Sequence, residues 1–306
     1  MSRAVMMDSF GGPEVLDLRE VAEPQAGPGQ VRVRVTAAGL NPMDWVMTAD
    51  DEAGSRFGLS LPCGFGTDYA GVVDQVGEGV TGFAAGDRVF GCAVSRAVAD
   101  YVVVDPHGTV GDGAHHTPDG LDDLTAATLD IAARTASAAL AVISPGDGDT
   151  VLIGGAAGGV GVFAVQLARL AGAAVIGTAS EKSFDYLRKL GAEPVTYGDG
   201  LAGRVRDLAP TGVTAATDLF GTETAHAALE LGVPAGRIST IAGQVPGVTA
   251  VSGASAAPGT LERVAELAAT SRLTVPIAAA YPVEQIRDAV RFQAGRHANG
   301  KVVVTL

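Results

Sequence analysis

Cysteine is almost missing from this chain: Cys63 and Cys92 are the only two in 306 residues. Two thiols cannot build a four-cysteine zinc cluster, and their spacing matches no metal-ligand pattern. With no secretory leader in view they read as free thiols in a reducing compartment. Met1 to Phe10 hold only Arg3 and a short apolar run before Asp8, which is not a signal peptide. The cytoplasm is therefore the expected location. No uninterrupted apolar run is long enough to cross a bilayer, so no membrane is expected as a partner. Basic residues are also scarce, 21 Lys and Arg against 34 Asp and Glu, for a formal net charge of -13. Such a surface repels nucleic-acid phosphates and anionic lipid, which removes nucleic acid from the expected partners. Histidine offers no metal site either. His115 and His116 are adjacent on what reads as a solvated loop, and His107, His226 and His297 are scattered without an assigned role.

Glycine, by contrast, is abundant, with 42 copies, and hydrophobic residues make up 47%. The composition is globular, and the length suits two domains. In the first third, short strands alternate with Gly and Pro turns. Gln30–Ala37 alternates apolar and polar residues, Tyr69–Gly77 and Asp100–Val104 read as further strands, and Gly86–Gly91 as a turn into another. Many short strands at close spacing predict a small β-barrel. Near Asp122 the rhythm changes. Leu124–Val142 has helical spacing, and apolar strands at Asp149–Gly155, Ala173–Thr178, Pro194–Tyr197, Ala215–Phe220 and Arg237–Ala242 then alternate with helices at Val160–Ala171, Glu181–Leu190 and Thr224–Leu231. That alternation predicts a parallel sheet covered on both faces. A further helix near Thr260–Thr270 and a terminal strand, Gly300–Leu306, close the chain.

The most informative motif is Gly154-Gly155-Ala156-Ala157-Gly158-Gly159-Val160-Gly161, set between an apolar strand and a helix. A diphosphate binds main-chain N–H groups at a helix start, where the helix dipole favours its charge and side chains would block the approach. Gly158 lets the backbone reach the diphosphate, and Gly161 lets the helix pack against the strand. Ala156 stands where the pattern's first Gly is usual. The complete strand–loop–helix context favours dinucleotide binding over glycines needed only for turns. Enzymes that take NAD place an acid at the tip of the second strand. Here that strand ends in Thr178-Ala179-Ser180, with Lys182 close behind and Tyr197 ending the next strand. A hydroxyl, an ammonium and a phenol together suit a 2′-phosphate, so NADP(H) is the expected cofactor. The alternatives are that Ser180 is only a helix N-cap, that Lys182 is a solvated helix residue, and that Glu181 serves an NAD enzyme.

Gly11-Gly12-Pro13-Glu14-Val15-Leu16, Ala38-Gly39-Leu40-Asn41-Pro42-Met43-Asp44-Trp45, Gly71-Val72-Val73, Gly86-Asp87-Arg88-Val89 and Ala156–Gly161 are short motifs whose order and spacing run over nearly the whole chain. In this the sequence resembles the medium-chain dehydrogenase/reductase superfamily, and within it the zinc-free quinone oxidoreductase branch. The resemblance implies an α/β protein: a chaperonin-10-like β-barrel catalytic domain, residues 1–122 and 273–306, with a Rossmann doubly wound parallel sheet, residues 123–272, inserted. It also implies a cofactor in the interdomain cleft and a homodimer. Zinc members of the superfamily carry a Cys where Asn41 stands, a His near Thr67 and a further ligand near Ile131. None of these is a good zinc ligand here, so no metal is expected.

The same resemblance places Asn41 and Asp44 at the catalytic pocket. Asn41 is expected to hydrogen-bond a substrate carbonyl, to order a water, or simply to start the turn at Pro42. Asp44 is expected to tie its loop through main-chain N–H groups. Asp68, Thr135, Phe220, Ile241, Ala242 and Lys301 match positions near the cofactor, with a hydrogen bond inside the barrel as the plainer role for Asp68. Val46 stands where many relatives carry Lys, Tyr or Thr, and Ala49–Leu61 is expected to be a substrate-facing loop. The implied chemistry is hydride transfer from NADPH to a small electrophile, a quinone or an α,β-unsaturated carbonyl, with the cofactor supplying the reactivity and the protein the orientation. The alternatives are an enoyl or polyketide-tailoring reductase on the same scaffold, and a non-catalytic NADPH-binding sensor.

Overall fold

The computed structural model describes residues 1–108, 111–296 and 298–306, so His297 lies outside the described residues. The chain forms two compact units. The first comprises Met1–Ile131, Leu261–Arg272 and Ile277–Leu306, and the second Ala132–Thr260 and Leu273–Pro276.

The first unit opens with strands β1 (Ser2–Met7), β2 (Asp17–Val21), β3 (Val31–Leu40), β4 (Cys63–Gly64), β5 (Asp68–Val76), β6 (Arg88–Ala93), β7 (Tyr101–Val104) and β8 (Asp112–His116). Val31, Val33 and Val35 of β3 point to one face and pack on Tyr69, Val73 and Val89, as strict alternation requires. The sequence places the end of β3 at Ala37; it runs on to Leu40, and this extension delivers Asn41. Pro42 then opens helix α1 (Pro42–Met47), where its missing N–H costs nothing. The expected loop Ala49–Leu61 contains a second short helix, α2 (Asp51–Arg56), capped by Asp50. His115 and His116 lie on β8 and not on a loop.

The helix expected over Leu124–Val142 is two: α3 (Asp123–Ala126) and α4 (Asp130–Ile143). Between them the Thr128 hydroxyl donates to Thr125 O, a local bond that competes with helix continuation. Asp123 at the head of α3 bonds Thr36 and Arg88 of the first unit's sheet. These bonds explain why the boundary falls at Ile131 and not at Asp122. His115 likewise bonds Glu262, so Leu261–Arg272 belongs to the first unit rather than to the sheet domain as drawn from sequence.

The second unit holds β9 (Thr150–Gly154), β10 (Ala174–Ala179), β11 (Glu193–Thr196), β12 (Ala215–Asp218), β13 (Ile238–Thr240) and β14 (Thr249–Ala250). They pair in parallel in the order β11-β10-β9-β12-β13-β14. This is the doubly wound order, with the switch point between β9 and β12. The helices are α5 (Gly161–Leu170), α6 (Phe184–Lys189), α7 (Leu201–Leu208) and α8 (Glu223–Glu230). The helix expected from Glu181 begins as a 3-10 turn, Glu181–Ser183, and Ser180 makes no side-chain capping bond there.

The chain returns to the first unit with α9 (Thr260–Ala269), β15 (Ile277–Pro282), α10 (Ile286–Ala294) and β16 (Lys301–Thr305). β16 pairs with β3, which completes a sheet in the order β15-β16-β3-β5-β6-β8 with β7 also on β3. Among the described residues no helix is long and apolar enough to cross a membrane.

Candidate active site

Strand register gathers one group of polar residues in the first unit. β16 pairs Val302 with Leu40, so the next step outward sets Lys301 opposite Asn41. β5 pairs Asp68 with Gly39, two residues before Asn41. The side chains meet accordingly. Lys301 Nζ donates to Asn41 Oδ1 at 2.6 Å, and Asn41 Nδ2 donates to Asp68 Oδ2 at 2.9 Å. Asp68 Oδ1 accepts the Ile131 N–H at 3.2 Å. Asp44, in the first turn of α1, accepts the Asn41 N–H at 2.7 Å and the Thr67 hydroxyl at 2.6 Å.

All of these side chains are buried; Lys301 is 2% exposed and Asp68 0%. Burial disfavours each charged form. It pushes the Asp44 carboxyl up to about 6, opposed by the Thr67 and Asn41 hydrogen bonds and by Lys301. It pushes Asp68 up as well, with Lys301 pulling the other way, and it pushes the Lys301 ammonium down against the attraction of Asp68 and Asp44. An ammonium and two carboxylates in one dry pocket hold more ionisable groups than can be charged freely, which makes the group a place where a proton is shared.

The roles expected from sequence sort as follows. Asp44 ties its loop, as expected, through the Asn41 N–H. Asn41 is committed to bridging Lys301 and Asp68, which leaves one amide hydrogen for any other acceptor. Asp68 and Lys301, expected at the cofactor, are joined to each other through Asn41. Thr67 and Ile131, noted from sequence only as poor zinc ligands, supply the hydroxyl and the N–H that complete the group. Val46 on α1 is 40% exposed.

In the second unit the parallel strands all end at one edge, and the remaining expected residues lie along it. In sheet order they are Tyr197 after β11, Ser180 after β10, Ala156 after β9, Phe220 after β12, and Ile241 and Ala242 after β13. The loop after β9 is built for close approach. A Cβ on Gly161 would lie 2.3 Å from Gly155 O and 2.5 Å from Ala156 O, so the start of α5 can sit on the loop only as glycine. Ala156 is tolerated at the usual glycine position because Gly177 faces it, where a Cβ would come within 2.7 Å of the Ala156 methyl. Thr178 holds the loop from β10, its Oγ1 accepting the Gly155 N–H and its carbonyl the Ala156 N–H.

The N–H groups of Ala157, Gly159 and Val160 have no protein acceptor among the described residues. No side chain caps α5, and its first turn carries no acid. Unpaired donors at the positive end of a helix dipole, with no side chain over them, fit a diphosphate. Ser180, Lys182 and Tyr197 are exposed beside it, as is Glu181. Thr135 is half-buried on α4, against Gly253.

Sequence reasoning missed Asp218. It is 2% exposed, and its carboxylate accepts the N–H groups of Phe220, Gly221, Thr224 and Ala225. It thereby fixes the loop that carries Phe220 past Gly155. The available signal was an acid at the carboxyl tip of an apolar strand.

Residues 27–117 match the family described as the alcohol dehydrogenase GroES-like domain, and residues 159–270 the one described as zinc-binding dehydrogenase. Over 213 residues the chain is 36% identical to a quinone oxidoreductase of Pseudomonas aeruginosa, a match covering 68% of this chain and 63% of that protein. Over 325 residues it is 36% identical to the spectinabilin polyketide synthase system protein NorB of Streptomyces orinoci, covering 97% of this chain and 14% of that protein. In both cases the chain spans less than two thirds of the relative's length. A mycobacterial protein solved in complex with NADPH superposes with a TM-score of 0.84 at 26% identity, covering 100% of both chains.

Proposed function

Because the chain belongs to the medium-chain dehydrogenase/reductase superfamily, in its quinone oxidoreductase branch, we propose that it reduces a quinone or an α,β-unsaturated carbonyl with NADPH and without zinc. The observation that carries the reading is the set of unpaired N–H groups on Ala157, Gly159 and Val160 at the start of α5. They hold the diphosphate of NADP(H), and Ser180, Lys182 and Tyr197 hold its 2′-phosphate. The mycobacterial neighbour that binds NADPH supports the same choice. When bound, the reduced nicotinamide supplies a hydride; the chain's own residues bind, orient and exclude water.

Zinc independence rests on the donor set. Asn41, Thr67 and Ile131 offer an amide, a hydroxyl and a hydrocarbon where zinc members offer ligands. The Asn41 oxygen already receives an ammonium. Among the described residues no three His, Cys, Asp or Glu side chains gather to hold a metal. A conjugated acceptor spreads negative charge by itself and needs no Lewis acid. The buried Lys301 supplies positive charge in the first unit, and the free amide hydrogen of Asn41 is the donor left to meet an oxygen. A homodimer in the cytoplasm belongs to the same proposal, to be checked by sedimentation.

Steady-state assay of quinones and α,β-unsaturated ketones with NADPH, alongside elemental analysis for zinc, tests the reading. Turnover of either class by zinc-free protein is the expected result. Failure of both classes while a saturated alcohol is oxidised would overturn it. The near-complete match to part of a polyketide synthase favours one second reading, reduction of an enoyl thioester. Enoyl thioesters in the same panel separate the two.

A further inference from the structure

Arg204 on α7 turns its guanidinium back over the start of its own helix. Nη1 donates to Asp199 O at 2.6 Å, and Nη2 to Gly198 O at 2.8 Å, Thr196 O at 3.0 Å and Tyr197 O at 3.2 Å. Nε adds a second bond to Thr196 O at 3.2 Å. Four successive main-chain carbonyls are thus gathered on one side chain. No carboxylate among the described residues pairs with it. From the other side, Glu223 Oε1 accepts the Gly198 N–H at 2.5 Å. Gly198 and Gly200 have φ of 94° and 79°, so the chain reverses sharply here in a conformation that favours glycine.

Tyr197 sits in the middle of this bound segment, yet its side chain is left outside: the residue is 56% exposed. Its place follows from the main chain. Thr196 pairs with Ala179 across β10 and β11, so the next residues outward, Tyr197 and Ser180, stand side by side at the strand tips. A loop following a short edge strand would ordinarily be free to move; here all three nitrogens of a planar fork hold it, through five contacts. Arginine in a folded protein usually answers a carboxylate. One whose recorded partners are carbonyls leaves a formal positive charge in the rim.

We propose that Arg204 is a positioning residue for dinucleotide choice: it fixes Tyr197 beside Ser180 and biases the rim toward a 2′-phosphorylated adenosine. The inference rests on the NADPH reading above. Lysine cannot replace the fork, because a single ammonium reaches fewer of the four oxygens.

The test is calorimetric binding of NADPH, NADH, adenosine 2′,5′-bisphosphate and 5′-AMP to the wild type, R204Q and R204K. R204Q is expected to lose about tenfold in affinity for the two 2′-phosphorylated ligands, with less than about a twofold change for NADH and 5′-AMP. R204K, which keeps the charge but not the fork, falls between. A purely structural role would weaken all four ligands alike, and that result, or an unchanged preference, overturns the inference. If R204Q does not fold, the preference measured on R204K decides by the same criterion. A wild-type protein with no preference for NADPH sinks the parent reading as well; a preference that survives in R204Q and R204K sinks this inference alone.

Discussion

Replacing Lys301 with methionine removes the ammonium from a dry group that contains Asp44 and Asp68, with little change in side-chain volume. Its Nζ lies 2.6 Å from Asn41 Oδ1, and Asn41 in turn bonds Asp68 at 2.9 Å. Breaking one side of a buried charge group costs about 3–5 kcal/mol, because the remaining charge is left uncompensated. The cost depends on pH, and the sign follows from Asp68. Burial already raises its carboxyl above the ordinary value, and Lys301 is the group that pulls it down. Without Lys301 it rises beyond the wild type's value of about 8, so past that pH the variant keeps a proton that the wild type releases. A carboxyl raised in the folded state contributes stability at low pH and loses it as pH climbs through the folded value. The gap between wild type and K301M therefore widens as pH rises past about 8. Urea unfolding at pH 7 and pH 9.5 measures it, with K301M/D68N as the control. Because D68N removes the uncompensated carboxylate, the double variant is expected to cost about 2 kcal/mol less than the sum of the singles. Equal destabilisation at both pH values, together with additive singles, would refute the charge-sharing argument.

Three further outcomes follow from the same geometry. Asp44 is raised from 3.8 to about 6, so its contribution is present below pH 3.8 and lost as pH rises through about 6. That loss amounts to about 3 kcal/mol, at 1.36 kcal/mol per pH unit over about two units, and D44N should lack this slope in urea midpoints taken from pH 4 to 7; parallel curves would contradict it. A methyl on Gly158 would meet only Gly155 O, at 3.3 Å, whereas one on Gly161 meets two carbonyl oxygens inside 2.6 Å. G158A should thus keep its stability to within about 0.5 kcal/mol while NADPH binding weakens, and G161A should lose about 1–3 kcal/mol by overpacking, as read by thermal melts and titration. D218N places an NH2 group where two main-chain donors point, and should cost about 2–3 kcal/mol with a matching loss of nucleotide affinity; an unchanged affinity would mean that the Phe220 loop is not part of the site.

The two halves of the candidate site were unequally legible in the sequence, for a physical reason. The nucleotide half is local. Gly154 to Gly161 lie within eight consecutive residues, and close approach leaves no choice of residue at Gly161, so the pattern shows in the letters. The strands that carry Ser180, Tyr197, Phe220 and Ile241 are apolar runs whose carboxyl ends can be counted to within a residue or two. The buried group is not local. Lys301 and Asn41 are 260 residues apart, and only the antiparallel register of β16 on β3 makes them neighbours. Nothing in the composition of Gly300–Leu306 says which strand it will pair with, and a lysine at a strand start reads as solvated. The family resemblance supplied the positions but not the contacts, which is why a bond to a substrate carbonyl stood beside the turn before Pro42 among the roles expected of Asn41. Arg204 and Asp218 were silent for a related reason: their partners are main-chain atoms, which carry no letter. A polar side chain whose work is to bind backbone can be recognised only once the fold has brought the carbonyls or N–H groups to it.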